Sequence, residues 1–435
     1  MMRKMLSMSI AAVLLVTASG FAAQWPHWRG PALDGSTDAQ GLPESWSLTE
    51  NVLWTAPMPG PSAATPIVWD GKVFISSMDS GSSDLLALCY DAESGKELWR
   101  RTVAQSDRQI PRSTLSTPSP TTDGKRVFFL YASGHLAAFD LDGNPAWSRN
   151  LETEYGNLAC QFGYGASPLV CEGKLIVQVL RRDTAWREPR AGEPFDSFLL
   201  AVDPDTGQNV WRQQRPQDAL NESMDSYASP LAWKNGDRTE IFVMGADYVT
   251  GHDPATGKEL WRYGYVTRKS RNWRMVSSPV SGAGMIFASI PRGGNGLFAL
   301  KPNGEGTLSD DAIVWTFDGP TPDVSTPLVY RGNLYVLDGS RGDKVLTCLD
   351  PATGKMKWQG AIGNRGPWRA SLTAGDGKLY CVNEGGEAIV LAANDTELKI
   401  LSRVDMPDAP LHASVAIADG RLYLRTAAKL YCIGT

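Results

Sequence analysis

The sequence predicts an all-β fold: an eight-bladed β-propeller of four-stranded antiparallel blades, closed by its N-terminal outer strand. Three observations predict it. A Ser/Thr-Pro step followed by apolar residues recurs along the chain, an Asp-to-Trp hairpin of fixed spacing recurs behind it, and one Trp strand stands ahead of the first step. At 435 residues the chain is longer than one ordinary domain, so two domains or one repeat array are the alternatives. Self-similarity decides for the array.

In chain order, Met1-Met2-Arg3-Lys4 gives a positive start, Leu6 to Val16 is mostly apolar, and small residues lead to Ala22 and Ala23. This reads as a signal peptide over residues 1–23, cleaved near Ala22/Ala23, with an uncleaved anchor as the alternative. The apolar run is shorter than the roughly 20 residues of a membrane span, and no other long one follows. A soluble periplasmic or secreted chain without a transmembrane segment is expected. Residues 24–50 form an N-terminal arm, and residues 51–435 the propeller.

The start steps are Thr65-Pro66, Thr117-Pro118, Ser167-Pro168, Ser229-Pro230, Ser278-Pro279 and Thr326-Pro327, with degraded copies at Ser371-Leu372 and Ser414-Val415. Each leads through a Gly-containing turn into an alternating apolar strand such as Asn333-Leu334-Tyr335-Val336. The second half of the unit is more regular. Asp91 to Trp99, Asp203 to Trp211, Asp253 to Trp261 and Asp350 to Trp358 share one spacing, with Gly95, Gly207, Gly257 and Gly354 in one slot. Asp bonds turn amides and Gly takes positive φ, so the pattern is a hairpin. Trp147 and Trp315 end looser copies.

Four-strand units of this length are propeller blades, which bury both faces only by stacking on neighbours. Eight start steps match eight Trp slots if Trp54 supplies the outer strand of the last blade, beside Tyr431, and Leu401 occupies the degraded slot of the seventh. Closure of this kind removes the sheet edges. The structural docking set is therefore Trp54, Trp99, Trp147, Trp211, Trp261, Trp315 and Trp358. In the same alignment Cys89, Cys348 and Cys432 share a slot with Ala138, Ala201, Gly251 and Ala299, which calls for a small buried side chain. Cys160 and Cys171, read as opposite ends of an inner strand, are too far apart to bridge. Free thiols are expected.

The fully matched pattern, Ala201-x-Asp203-x-x-Thr206-Gly207-x-x-x-Trp211, resembles the tryptophan-docking motif of the PQQ-repeat (quinoprotein-like) β-propellers, and near copies end at Trp99, Trp261 and Trp358. The resemblance covers the chain from the first outer strand to its end. The superfamily includes quinoprotein alcohol dehydrogenases and BamB, the propeller subunit of the outer-membrane assembly machine. The arm from Gln24 to Pro31 is also similar to the start of BamB-like propellers.

In such a blade the inter-blade loops and the loops joining second to third strands open on one face. That face gathers Arg and aromatic residues. The inter-blade loops supply Arg112, Gln161, Tyr164, Asp225, Tyr227, Arg271, Trp273, Arg274, Trp368, Arg369 and His412. An insertion from Arg181 to Ser197 adds Arg182, Trp186, Arg187 and Arg190, and other loops add Arg292 and Arg341. From these, Arg112, Tyr164, Tyr227, Trp273, Arg274, Trp368 and Arg369 are the candidate ligand funnel. Arg captures carboxylate or phosphate in a bidentate fork and aromatic rings offer stacking faces, which suits an anionic or glycan ligand or a protein partner. The alternative is that these Arg cap blade ends, pairing with Asp and backbone carbonyls.

The formal charge of −5 argues against a nucleic-acid binder. The four histidines have no ligand spacing, there is no Cys-x-x-Cys, and the hairpin Asp residues are turn formers on the opposite face, so no metal site and no catalytic residue is singled out. The reading is an exported, non-catalytic, BamB-like binding or assembly scaffold, monomeric and without cofactor. The resemblance also implies an alternative, a dehydrogenase dependent on PQQ and Ca²⁺, which calls for carboxylate and amide metal ligands, an Asp base and usually an adjacent Cys pair. No two cysteines here are adjacent. An enzyme acting on anionic polysaccharide through the Arg-rich funnel is the third reading.

Overall fold

The computed structural model describes residues 24–158, 160–182, 196–216, 218–266, 272–290, 296–340 and 344–435. Residues 1–23 of the predicted signal lie outside these, as do Trp186, Arg187, Arg190, Arg271, Arg292 and Arg341.

Eight antiparallel four-stranded sheets follow one another around the ring, and the fourth carries one additional short parallel strand, Gly306–Thr307, on its outer edge. In the first blade the inner strand is Ile67–Trp69, then Lys72–Met78 and Asp84–Asp91, and the outer strand is Glu97–Gln105. The last blade is built from both ends of the chain. Its outer strand Val52–Pro57 pairs with Lys429–Ile433, setting Trp54 opposite Cys432 and Thr55 opposite Tyr431. The ring therefore closes through a shared sheet.

A cross-strand triplet explains the repeat. Phe74, Cys89 and Trp99 lie side by side on adjacent strands, as do Tyr335, Cys348 and Trp358, and Tyr423, Cys432 and Trp54. The middle position must be small because the indole lies across it. All six cysteines are buried and free; burial pushes the Cys348 thiol up to about 12 and the Cys432 thiol to about 11, so they act as packing groups. Cys160 departs from the expected inner-strand position. It sits in the loop before that strand, its thiol near the Leu180 carbonyl at 3.3 Å.

Each docking indole also ties its blade to the next. Trp54 Nε1 donates to the Ala92 carbonyl at 3.0 Å, Trp147 to Pro204 at 2.9 Å and Trp315 to Pro351 at 3.0 Å, each acceptor following the turn Asp or its equivalent. The turn glycine of the next blade then rests on the same ring. A Cβ on Gly354, which has φ +69, would stand 2.5 Å from the Trp315 indole. Glycine is required there twice over, for its φ and for the approach. Trp261 differs: its Nε1 turns to Glu240 of its own blade at 2.6 Å, because the fifth blade replaces the short hairpin with a longer excursion that places Gly306–Thr307 on the outer strand instead.

Two alignment details shift. In the second blade the step that opens the inner strand is Ser119-Pro120, directly ahead of Thr121–Thr122, and not Thr117-Pro118. In the seventh, Tyr380, Val390 and Ser402 form the triplet, so Ser402 and not Leu401 stands in the tryptophan slot. The hairpin there is longer: Ala392 N–H reaches the Lys399 carbonyl, where Asp350 N–H reaches Lys355. The arm fills the gap. Ser402 Oγ donates to the Glu44 carbonyl at 2.6 Å, Tyr380 Oη to Pro43 at 2.9 Å, and buried Trp46 joins the core cluster containing Tyr380, Val390 and Val404.

Candidate functional site

Eight inner strands surround a central channel of about 770 Å³. Its wall is a ring of Ser and Thr hydroxyls contributed by the start steps. The backbone N–H of Thr65 donates to Ser119 Oγ at 2.9 Å, Ser119 to Ser167 at 3.0, Ser167 to Ser229 at 2.9, and Ser229 to Ser278 at 2.9. The chain continues from Ser278 to Thr326 at 3.0, Thr326 to Ser371 at 2.9, Ser371 to Ser414 at 3.1, and Ser414 back to Thr65 at 3.1 Å. Each hydroxyl accepts one amide from the neighbouring blade. A hydroxyl holds one proton and two lone pairs, so each keeps its own O–H for the channel.

The arm spans the end of the channel away from the inter-blade loops. Trp25 pairs with Val68 in both directions at 2.8 and 2.9 Å, and Thr122 N–H donates to the Pro26 carbonyl at 3.1 Å. Across the ring, Arg29 donates to the Leu372 carbonyl at 2.7 Å and to Pro327 at 3.0 Å, and Ala374 pairs with Gly35 and Thr37. Between these anchors Trp28 lines the channel. His27 and Arg29 are buried there. Burial, with the adjacent Arg29 charge second, pulls the His27 pKa down to about 3; burial also lowers that of Arg29 to about 10.

At the opposite mouth the lining includes Arg112, Arg369, Tyr227, Glu384 and His412. Arg112 sits at φ 61 within a tight turn closed by Ser113 N–H on the Ile110 carbonyl. Arg369 donates to Glu384 Oε1 at 2.6 Å, and His412 Nδ1 lies 3.2 Å from the same oxygen. Burial pushes the Glu384 carboxyl up, but the hydrogen bonds from His412 and Arg369 outweigh it and hold it below the ordinary range. The Tyr227 ring is fixed from behind. Its hydroxyl accepts from Phe162 N–H at 3.0 Å and lies 3.4 Å from Asp225, which in turn holds a buried ion pair with Arg182 at 2.5 Å.

Of the seven predicted funnel residues, the channel lining brings together Arg112, Tyr227 and Arg369. Tyr164 and Trp368 are wholly buried, the first donating to the Gln178 carbonyl at 2.5 Å and the second to Gly363 at 3.3 Å. Arg274 is buried between Glu222 and Asp323, each at 3.4 Å, and over the Phe162 ring. Trp273, half-buried, is anchored by its backbone on Ser223. Arg181 is fully buried and caps the carbonyls of Tyr155, Gly156 and Asn157 at 2.7–2.9 Å. Arg181, Arg182 and Arg274 are paired as the capping alternative has it, while Arg112 and Arg369 line the channel. Sequence reasoning missed Trp28, Glu384 and the hydroxyl ring. Glu384 sits in a second-to-third-strand loop, so the same face rule reaches it; the ring was visible only as the start step.

A metal-bound quinone does not fit the lining that the described residues form. Among them its one carboxylate, Glu384, is engaged by Arg369 and His412, none of the six cysteines borders the channel, and no group of three His, Cys, Asp or Glu is placed to hold a metal.

One family model matches the chain, described as outer membrane protein assembly factor BamB, over residues 46–179, 162–307, 245–391 and 342–435. No curated protein matches. Solved structures share the fold. BamB from Moraxella catarrhalis is 15% identical, with a TM-score of 0.59 over 88% of this chain and 97% of that one. A quinohemoprotein alcohol dehydrogenase from Comamonas testosteroni is 14% identical, with 0.65 over 95% and 81%. A europium-containing methanol dehydrogenase is 10% identical, with 0.70 over 95% and 98%. At these identities the likeness is one of fold.

Proposed function

The chain belongs to the PQQ-repeat propeller family described as outer membrane protein assembly factor BamB, and we propose that it serves outside the cytoplasm as a non-catalytic binding scaffold. Its working surface in this reading is the inter-blade face, where the channel opens. The observation that carries the reading is the asymmetry of the channel: the arm spans one end, while the other presents Arg112, Arg369 and the rigidly held Tyr227. A 770 Å³ recess falls within the roughly 300–1,000 Å³ of small-ligand sites. The conspicuous buried arginines behind it are occupied in holding loops, which leaves the face preformed.

The test is photo-crosslinking from position 112 in envelopes of the source cell. A discrete partner or ligand adduct that disappears when the crosslinker is moved to the hairpin turn at Glu93 supports the scaffold. Incubation with PQQ and Ca²⁺ is the counter-test. A stoichiometric chromophore with dye-linked alcohol oxidation overturns it.

A further inference from the structure

We propose that the channel receives one acidic sugar unit of a uronate-containing saccharide, its ring among the wall hydroxyls and its carboxylate at the Arg112–Arg369 mouth. The proposal rests on the inter-blade face being the working surface, and it commits that face to one ligand class.

Size is the first constraint. The inner strands belong to eight separate sheets joined by amide-to-hydroxyl bonds into one ring, and the channel inside it measures about 770 Å³. That volume lies within the range of small-ligand sites and admits a single extended chain or a single sugar ring.

Main-chain chemistry separates those two. A peptide inserting along a strand edge is held by free backbone donors and acceptors. Here the ring amides are already bonded to the neighbouring hydroxyls, and lower down the arm pairs with Val68, Thr122 and Ala374. What the wall still offers is side-chain hydroxyl, each able to donate one proton and accept through a second lone pair. Sugar hydroxyls have the same dual character. The indole of Trp28 and the phenol ring of Tyr227 supply apolar faces for the C–H side of a pyranose, and both line the channel.

Charge selects the acidic member of the class. The described lining holds two guanidiniums against one carboxylate, and the Glu384 carboxylate is engaged by Arg369 and His412. Arg112 is exposed and has no acceptor in hydrogen-bonding range among the described residues. A planar fork of that kind matches a uronate carboxylate.

Calorimetric titration of the full chain at low ionic strength tests this with three probes: trigalacturonate, neutral maltotriose and hexaglutamate. Trigalacturonate should bind one-to-one and about tenfold or more tighter than either of the others. Arg112→Ala, at an exposed site, should erase the preference for trigalacturonate over maltotriose without moving the melting temperature. Glu384→Gln should tighten trigalacturonate alone. Equal binding of the two saccharides, preference for hexaglutamate, an unaltered preference in Arg112→Ala, or no saccharide binding each overturns the proposal. If the saccharides fail while a crosslinked partner is still recovered from position 112, the ligand class is refuted and the scaffold stands; if both fail, both are refuted.

Discussion

Replacing Trp46 by Ala tests whether the arm stands in for a docking tryptophan. The seventh blade carries Ser402 where seven other blades carry an indole, and the arm's Pro43 and Glu44 carbonyls bond to Tyr380 and Ser402 at that place. Trp46 is 6% exposed. A buried Trp covers roughly 200 Å², worth up to about 5 kcal/mol at 25 cal/mol/Å². Core Trp-to-Ala changes cost about 3–5 kcal/mol, and an arm can partly collapse onto the hole, so the lower end, about 3 kcal/mol, applies. For roughly 400 ordered residues the unfolding entropy is about 0.85 kcal/mol/K, and the expected fall in Tm is about 3–4 °C. Scanning calorimetry reads it, with Trp211→Ala as the reference for a regular docking indole. Limited proteolysis should also cut the variant within residues 38–50 before any blade. A Tm change under about 1 °C beside a several-degree loss in Trp211→Ala would refute the substitution of arm for blade.

Two further outcomes follow from named groups. Gly354→Ala places a Cβ 2.5 Å from the Trp315 ring at φ +69, and strain plus overpacking should cost about 2–4 kcal/mol, seen as a lower Tm together with altered indole fluorescence. The acid response follows from His27 and His252, whose pKa values burial lowers from 6.5 to about 3. The unfolded state takes these protons first, so the contribution is complete above about pH 6.5 and is lost as pH falls toward 3. At pH 5 each histidine costs about 2 kcal/mol. His27→Gln should flatten the slope of Tm between pH 7 and 5, and an unchanged slope would refute the assignment.

Periodic features were legible because each is local in sequence and repeated. The Cys89, Cys348 and Cys432 slot, the Asp-to-Trp hairpins and the closure at Trp54 all follow from aligning one unit on another. What failed was where a repeat departs from its own length. The longer hairpin after Ala392 moved the slot from Leu401 to Ser402, and two tandem Pro steps made Thr117 and Ser119 indistinguishable until strand pairing separated them. Among the described loop residues Arg112, Tyr227, Arg369 and His412 line the channel, but depth was not legible. Tyr164 and Trp368 fold inward to finish the core, and Arg181 caps carbonyls. Nothing periodic marks the arm, whose path across the channel is set by contacts such as Arg29 with Leu372 that lie more than three hundred residues apart.

The hydroxyl ring constrains how such a channel acquires specificity. Each Ser or Thr in it satisfies a buried amide of the neighbouring blade, so replacing one with Ala leaves that N–H without an acceptor, at about 1–3 kcal/mol. A larger side chain would narrow the channel that the ring encloses. The wall is therefore held to small hydroxylic residues by the demands of the fold itself, whatever enters. On the scaffold reading, selectivity resides where the backbone is free to vary, in the loops at the mouth that carry Arg112, Arg369, Glu384 and His412. On this physics a propeller of the same ring and a different mouth would accept a ligand of the same width and a different charge.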